Sequence, residues 1–349
     1  HEQLVRSEKL SEVHPYQDES TIQGILEIMY RDEQYIKAIS GMDKVSLQPG
    51  GGTQAIFANV ETIRAYHESR GEGEQRNEII TTILSHPGNP GAAATLGYKV
   101  ITLYPDENGV PDIEALKAAV SEHTAALMIT NPEDTGIYNE KIKEFVDIVH
   151  AAGGLCVYDQ ANLNGLFGIT RARDAGFDMC HYNLHKSFSS PHGCQGPAAG
   201  AQCVCEKLAK FVAAPTVEFD GEKYYLDYDK PESIGKVRQY IGQSAVVLKA
   251  YTWTMMMGAE GLRECAEISV LNNNYMLSLM EKIPGVSHAF QGNGIVRQEQ
   301  IRYSFQELRE KYDVGSDDMN CRMGDYGIPW FWSSHHPWVI PEPMTLEPC

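Results

Sequence analysis

Two side chains in this sequence have the type and setting for carbonyl chemistry. Lys186 follows the strand-like run Met179-Cys180-His181-Tyr182 and sits in Asn183-Leu184-His185-Lys186-Ser187, just ahead of a loop of Ser, Pro, His and Gly. A lysine at the mouth of a buried strand, between His185 and Ser187, is expected to be at least half-buried. Such lysines shift their pKa readily enough for Schiff-base chemistry. A lone lysine after a strand would carry no such reading. Upstream, however, Leu155-Cys156-Val157-Tyr158-Asp159 is a short apolar strand ending in an acid. A strand-end aspartate facing a lysine from a neighbouring strand end is what a pyridoxal 5'-phosphate site requires. The carboxylate keeps the pyridine nitrogen protonated, and the amine carries the aldehyde as an imine.

A phosphate needs its own cradle. The run Pro49-Gly50-Gly51-Gly52-Thr53-Gln54 lies between a short strand over 44–48 and a helix with Ile56, Val60, Ile63 and Tyr66 on one face. Free N–H groups and the helix dipole converge at such a junction and bind anions. A glycine triplet alone is usually a turn; beside Asp159 and Lys186 it reads as a phosphate site.

The elements that must position these groups alternate. Strands are expected over 78–84, 99–103, 125–130, 155–159, 179–182 and 201–205. Helices are expected over 18–40, 92–96, 112–120 and 140–152, with Gly41 ending the first and Asp112 capping the third. Alternation on this scale predicts a mostly parallel sheet with helices on both faces, and functional loops at the carboxyl ends of its strands. The Gly50 loop, His86, Asn131, Asp159 and Lys186 all fall at such ends. Residues 218–231 read as a polar excursion, and 244–257 as a buried helix continuing through 262–280. A helix near 317–326 and an aromatic tail over 330–338 follow. The expected organisation is an N-terminal helical segment (1–43), a large cofactor-binding α/β domain (44–243), a connecting helix (244–282) and a small C-terminal α+β domain (283–349).

The 349-residue chain has a formal net charge of -18. That balance argues against nucleic acid or an anionic membrane surface as the main partner. No apolar run is long enough to span a bilayer, and no secretory signal is visible. The eight cysteines are scattered, with no Cys-x-x-Cys pair; the expectation is reduced thiols in a cytoplasmic enzyme and no metal. His335-His336 invites a metal reading, but adjacent side chains point apart and no ligand is spaced to join them, so an ordered loop is expected. The start at His1 and the stop at Cys349 suggest part of a longer polypeptide.

Several strings together resemble a known family. They are His14-Pro15-Tyr16-Gln17, Leu47-Gln48-Pro49-Gly50, Ile63-Arg64-Ala65-Tyr66-His67, Thr130-Asn131-Pro132 and Tyr158-Asp159-x-Ala161-Asn162-Leu163-Asn164. Asn183-Leu184-His185-Lys186, Pro191-His192-Gly193 and Val339-x-Pro341-Glu342-Pro343 complete the set. The chain resembles the pyridoxal-phosphate-bearing half of glycine dehydrogenase (decarboxylating), the P-protein of the glycine cleavage system, in particular its separate subunit 2. The resemblance implies a fold-type-I pyridoxal phosphate enzyme in which Lys186, Asp159 and His86 are catalytic. Lys186 would form the internal imine, Asp159 would pair with the ring nitrogen, and His86 would lie against the ring face. Gly51, Gly52, Thr53 and Gln54 would hold the phosphate with help from Ser187, and Asn131, Ala161 and His185 would join the cofactor set. It further implies decarboxylation of glycine, aminomethyl transfer to a lipoylated carrier protein, and assembly with a second P-protein-like subunit or as a homodimer. The oligomer is expected to bury the apolar face of the 18–40 helix.

The chain departs from the family pattern at His86-Pro87-Gly88-Asn89-Pro90 and at Cys194-Gln195-Gly196-Pro197-Ala198-Ala199-Gly200. The two loops are expected to weaken glycine turnover, with Gln195→Gly plus Gly88→Thr moving activity back toward it. The competing readings are a fold-type-I pyridoxal phosphate enzyme acting on another amino acid (aminotransferase, decarboxylase or carbon–carbon lyase) and an inactive subunit holding a catalytic partner. The presence of both Asp159 and Lys186 argues against the last.

Overall fold

The computed structural model describes residues 2–14, 16–190, 196–292, 294–328, 333–335 and 338–348. At its centre is a seven-stranded sheet: β1 (Lys44–Ser46), β2 (Glu78–Thr82), β3 (Lys99–Leu103), β4 (Thr124–Thr130), β5 (Leu155–Asp159), β6 (Met179–Asn183) and β7 (Gly200–Val204). Their spatial order is β3-β2-β4-β5-β6-β7-β1. The five strands from β3 to β6 are mutually parallel, and β7 and β1 are each antiparallel to the strand before them in that order. Apolar runs such as Ala125 to Ile129 and Leu155 to Tyr158 are buried throughout, as expected of strands covered on both faces. Register then sets the chemistry. Thr130 is opposite Asp159 and Asp159 opposite His181, so two ionisable groups share one end of adjacent strands.

The 18–40 segment divides into a 3-10 turn (Glu19–Thr21) and a helix (Gln23–Ser40), which Gly41 ends at φ 72°. Its apolar face packs into this chain's own core through Ile25, Leu26, Met29 and Ile36. Full burial of a side chain such as Leu26 or Ile36 contributes about 2 kcal/mol. An apolar face kept for a partner is therefore not needed to explain this helix. The 218–231 stretch forms a two-stranded hairpin, β8 (Thr216–Phe219) and β9 (Tyr224–Asp227). It is tied to the same helix, because Gln23 Nε2 donates to the Tyr224 carbonyl and Oε1 accepts the Tyr224 N–H, at 2.7 and 2.9 Å.

That helix also buries a carboxyl: Asp32 is 0% exposed, and among the described residues neither oxygen has a hydrogen-bond partner. Burial pushes its pKa well above the usual 3.8. The native state therefore binds the proton more tightly than the unfolded chain. The stability this gives is fully present below the unfolded pKa and is lost as pH rises through the raised native value. Asp32→Leu should raise unfolding stability by about 1–3 kcal/mol at neutral pH, and by less at pH 4. Urea unfolding at the two pH values checks this, and equal stability of variant and parent at neutral pH would refute it.

The helix Ser244–Met280 is interrupted at Gly258 (φ 61°, ψ -176°). Its first part buries Val246, Val247, Leu248 and Ala250. Met255, Met256, Leu271 and Tyr275 are exposed, which corrects the expectation of a buried helix throughout. A small antiparallel sheet of β10 (Ser287–His288), β11 (Ile301–Ser304) and β12 (Pro343–Leu346) follows, with β11 in the middle. It is locked onto the large sheet by Arg302, Arg297 and Glu347. Arg302 donates to Asp134, Arg297 donates to the Thr135 carbonyl, and Glu347 accepts from both Asn162 and Asn164. Among the described residues no helix is long and apolar enough to cross a membrane, and the six described cysteines are free thiols.

Candidate active site

At the carboxyl end of the parallel strands is a cavity of about 510 Å³. One wall is the glycine loop, which enters the 18-residue helix Gly52–Ser69. Side chains approach two of the glycines closely. A Cβ on Gly52 would stand 2.4 Å from Asn183 Oδ1, and one on Gly50 would be 1.8 Å from the Arg238 guanidinium. Gln54 staples the turn: its Oε1 accepts the Gly50 N–H at 2.7 Å, and its Nε2 donates to the Val237 carbonyl. The Gln54 side chain is thereby engaged in the protein, and its contribution to an anion is the backbone at the helix N-terminus. Arg238, which lines the same wall, has no carboxylate partner among the described residues.

Asp159, at the end of β5, is 2% exposed and fully engaged. His181 Nε2 lies 3.0 Å from Oδ1, the Ala161 N–H donates to Oδ1 at 3.1 Å, and Asn89 Nδ2 donates to Oδ2 at 2.9 Å. Burial alone would raise its pKa. The charge and hydrogen bond of His181, with help from His86 and the Ala161 N–H, instead hold the carboxyl well below the usual range.

Lys186 follows β6 and lines the cavity beside His185 and Ala161. It is exposed, not half-buried as its flanking residues suggested, and it also borders a second cavity of about 380 Å³ on the side of Phe167 and Trp253. His185 Nδ1 lies 3.0 Å from the Ala199 carbonyl, tying the lysine turn to the start of β7. His86 lines the opposite wall, and its Nδ1 accepts the Gly88 N–H at 2.9 Å. Burial pushes its pKa down, and the neighbouring His335 and Lys186 push it further, against the pull of Asp159.

Two predicted cofactor residues have their side chains engaged elsewhere. Asn131 closes its own loop, accepting the Asn139 N–H at 2.8 Å and donating to the Asn139 carbonyl at 3.1 Å. Ser187 Oγ accepts from the Leu163 N–H and donates to Asn162 Oδ1. The altered first loop also differs from expectation. A Cβ on Gly88 would stand 2.8 Å from His86 Nδ1 and 3.0 Å from Ile56, so threonine there would displace His86 and not restore it. Gln195 and Cys194, with Pro191-His192-Gly193, lie outside the described residues, as does His336.

Sequence reasoning missed His181, Asn89, Asn183, Arg238 and His335. Asn89 stood in a loop already singled out. His181 and Asn183 are two residues apart on one buried strand, and period two from a known site residue was the available signal.

The aminotransferase class-V family profile matches residues 50–211. "Probable glycine dehydrogenase (decarboxylating) subunit 2" of Pyrococcus abyssi is 44% identical over 351 residues, covering 99% of this chain and 68% of the relative. The protein of the same description from Thermococcus kodakarensis is 43% identical over 352 residues, with the same coverage. The chain belongs to the glycine dehydrogenase (decarboxylating) subunit 2 family. Among solved structures it is similar to a glycine decarboxylase (P-protein) of the glycine cleavage system, in inhibitor-bound form, with TM-score 0.76, 19% identity and coverage of 99% of this chain and 76% of that one. It is also similar to a NifS-like protein, with TM-score 0.70, 16% identity and coverage of 99% and 88%. The architecture is that of the fold-type-I pyridoxal phosphate enzymes. The family's cofactor fits the residues present: a glycine loop closely approached at Gly50 and Gly52, a guanidinium beside a helix N-terminus, and a carboxyl held ionised in a buried site.

Proposed function

We propose that this chain is the pyridoxal-phosphate-bearing subunit of a glycine-decarboxylating enzyme, which releases CO2 from glycine and passes the aminomethyl carbon to a lipoylated carrier. The observation that carries the reading is the ionised Asp159 held directly behind Ala161 and His181 of the cavity lining, in a cavity that also offers Lys186 and a phosphate cradle. When bound, pyridoxal phosphate supplies an electrophilic carbonyl carbon and a ring that accepts electrons.

The protein's own groups have separate tasks. Asp159 would keep a positive charge on the ring nitrogen, and His181, Asn89 and the Ala161 N–H keep that carboxylate charged and aimed. Lys186 offers the amine and, once released, a mobile base on the cavity rim. His86 would cover one ring face, with its Nδ1 fixed by Gly88. The backbone of Gly51, Gly52, Thr53 and Gln54, together with Arg238, would take the phosphate. Ser187 and Asn131 would act through the loops they brace.

Met255 and Met256 before the Gly258 break, and Leu271 and Tyr275 after it, are exposed apolar side chains suited to contact with a second subunit or a second copy of this chain. The test is release of labelled CO2 from carboxyl-labelled glycine by the purified protein with lipoylated carrier, alone and with its subunit partner, alongside light scattering of the assembly. Carrier-dependent release is expected from an oligomer. No release from glycine, with spectral change on adding another amino acid, would transfer the assignment to a fold-type-I enzyme of different substrate.

A further inference from the structure

Asp134 and His335 are 201 residues apart in the chain, and their side chains meet behind His86. His335 Nδ1 lies 2.6 Å from Asp134 Oδ2, and Arg302 donates to the same oxygen at 2.7 Å. Arg302 is 1% exposed and stands in β11, where its register with Thr345 of β12 is fixed. The carboxylate between them is 8% exposed. His335 meets His86 ring to ring, with centroids 4.7 Å apart and planes at 75°. That edge-to-face geometry is the favoured one for aromatic pairs. His86 lines the cavity, whereas His335, Asp134 and Arg302 do not.

Geometry says what this stack can do. His86 accepts the Gly88 N–H on Nδ1, so its neutral form carries the proton on Nε2. One bond at one ring atom leaves the plane of the imidazole free to tilt about that bond. A second ring set across it, itself held by a buried carboxylate and guanidinium, removes that freedom. Asp134 is bonded by both His335 and Arg302 at one oxygen, so the buried carboxylate and guanidinium fix the His335 ring in place. We propose that His335 is a positioning residue for His86, holding the plane of the imidazole at the cavity wall through the Asp134–Arg302 clamp. This rests on the reading that His86 covers the ring of the bound cofactor.

The test uses the full chain with two variants, His335→Ala and His335→Phe. In the cofactor-free protein, the ring nitrogen resonances of His86 are followed in histidine-labelled samples. In the loaded enzyme, the visible circular dichroism band and the kcat and KM for glycine are measured. His335→Ala should shift the His86 resonances, weaken the dichroism band and lower kcat about tenfold with KM little changed, the scale of a misplaced group beside a reacting centre. His335→Phe, which returns a ring without the Asp134 bond, should recover part of the lost kcat. Unmoved His86 resonances in His335→Ala, or a phenylalanine variant no better than alanine, overturn the proposal. Should the alanine variant fail to fold, the resonances are read in His335→Phe, where loss of the Asp134 bond must itself move them; unmoved signals there overturn it. The resonance arm does not depend on glycine turnover, so inactivity of the parent protein would strike the functional reading and leave this inference to be decided separately.

Discussion

Lys186→Ala should lower turnover by at least about 10³-fold, as loss of a covalent catalyst does, while leaving the fold and the cavity intact. The residue is exposed, lines the 510 Å³ cavity and borders the 380 Å³ one behind it, so its removal leaves no buried void. Its backbone N–H bonds the Asn183 carbonyl and its carbonyl accepts the Ser189 N–H, contacts that alanine keeps. Borohydride treatment of the loaded parent protein should fix the cofactor as a stable secondary amine on Lys186, and the alanine variant should take up no such label. The check is peptide mapping of the reduced protein together with the CO2 assay. Label on another lysine, or none in the parent, ends the case for this site.

Most of what surrounds Lys186 and Asp159 was readable because each sits at the end of an apolar run, and a parallel sheet gathers such ends at one edge. The glycine loop was readable for the same reason. Reading failed where a side chain's partner is distant or its backbone competes for it. Asn131 and Ser187 stand at the right strand ends, yet both short polar side chains are engaged by neighbouring backbone, as Asn and Ser commonly are. The Asp134–Arg302 and Asp134–His335 contacts join residues 168 and 201 apart, and no local period announces them. The antiparallel β7 is buried throughout like the parallel strands, so burial pattern alone does not reveal its direction. The helix Gln23–Ser40 misled in the opposite sense: an amphipathic stripe predicts burial, and it does not say whether the covering surface is the same chain or another.

Asp159→Asn separates charge from shape, and the structure shows why the fold should survive it. The carboxylate accepts at Oδ1 from the Ala161 N–H, with His181 Nε2 3.0 Å away, and at Oδ2 from Asn89 Nδ2. An asparagine can keep its oxygen toward Ala161 and His181, which turns its own NH2 group toward the NH2 of Asn89. That donor–donor conflict has a ready exit, because Asn89 Oδ1 is buried with no hydrogen-bond partner among the described residues and a flip of that amide presents it as the acceptor. The hydrogen bonds are then remade and only the charge is gone. Without it nothing in the site holds the ring nitrogen protonated, so turnover should fall by at least about 10²-fold, the scale of losing one preorganised electrostatic group. Cofactor affinity should weaken as well. Stability should fall only modestly and in a defined pH range. A carboxyl whose native pKa is depressed contributes stability above its unfolded value, and loses it as pH falls through the native one. The difference between parent and variant should therefore be present at neutral pH and shrink in strong acid. Turnover, cofactor titration and thermal unfolding of the two proteins decide the matter. A variant with near-parental turnover would reduce Asp159 to a strand-end partner for His181, and a variant that does not fold would show that the Asn89 flip cannot replace the charge.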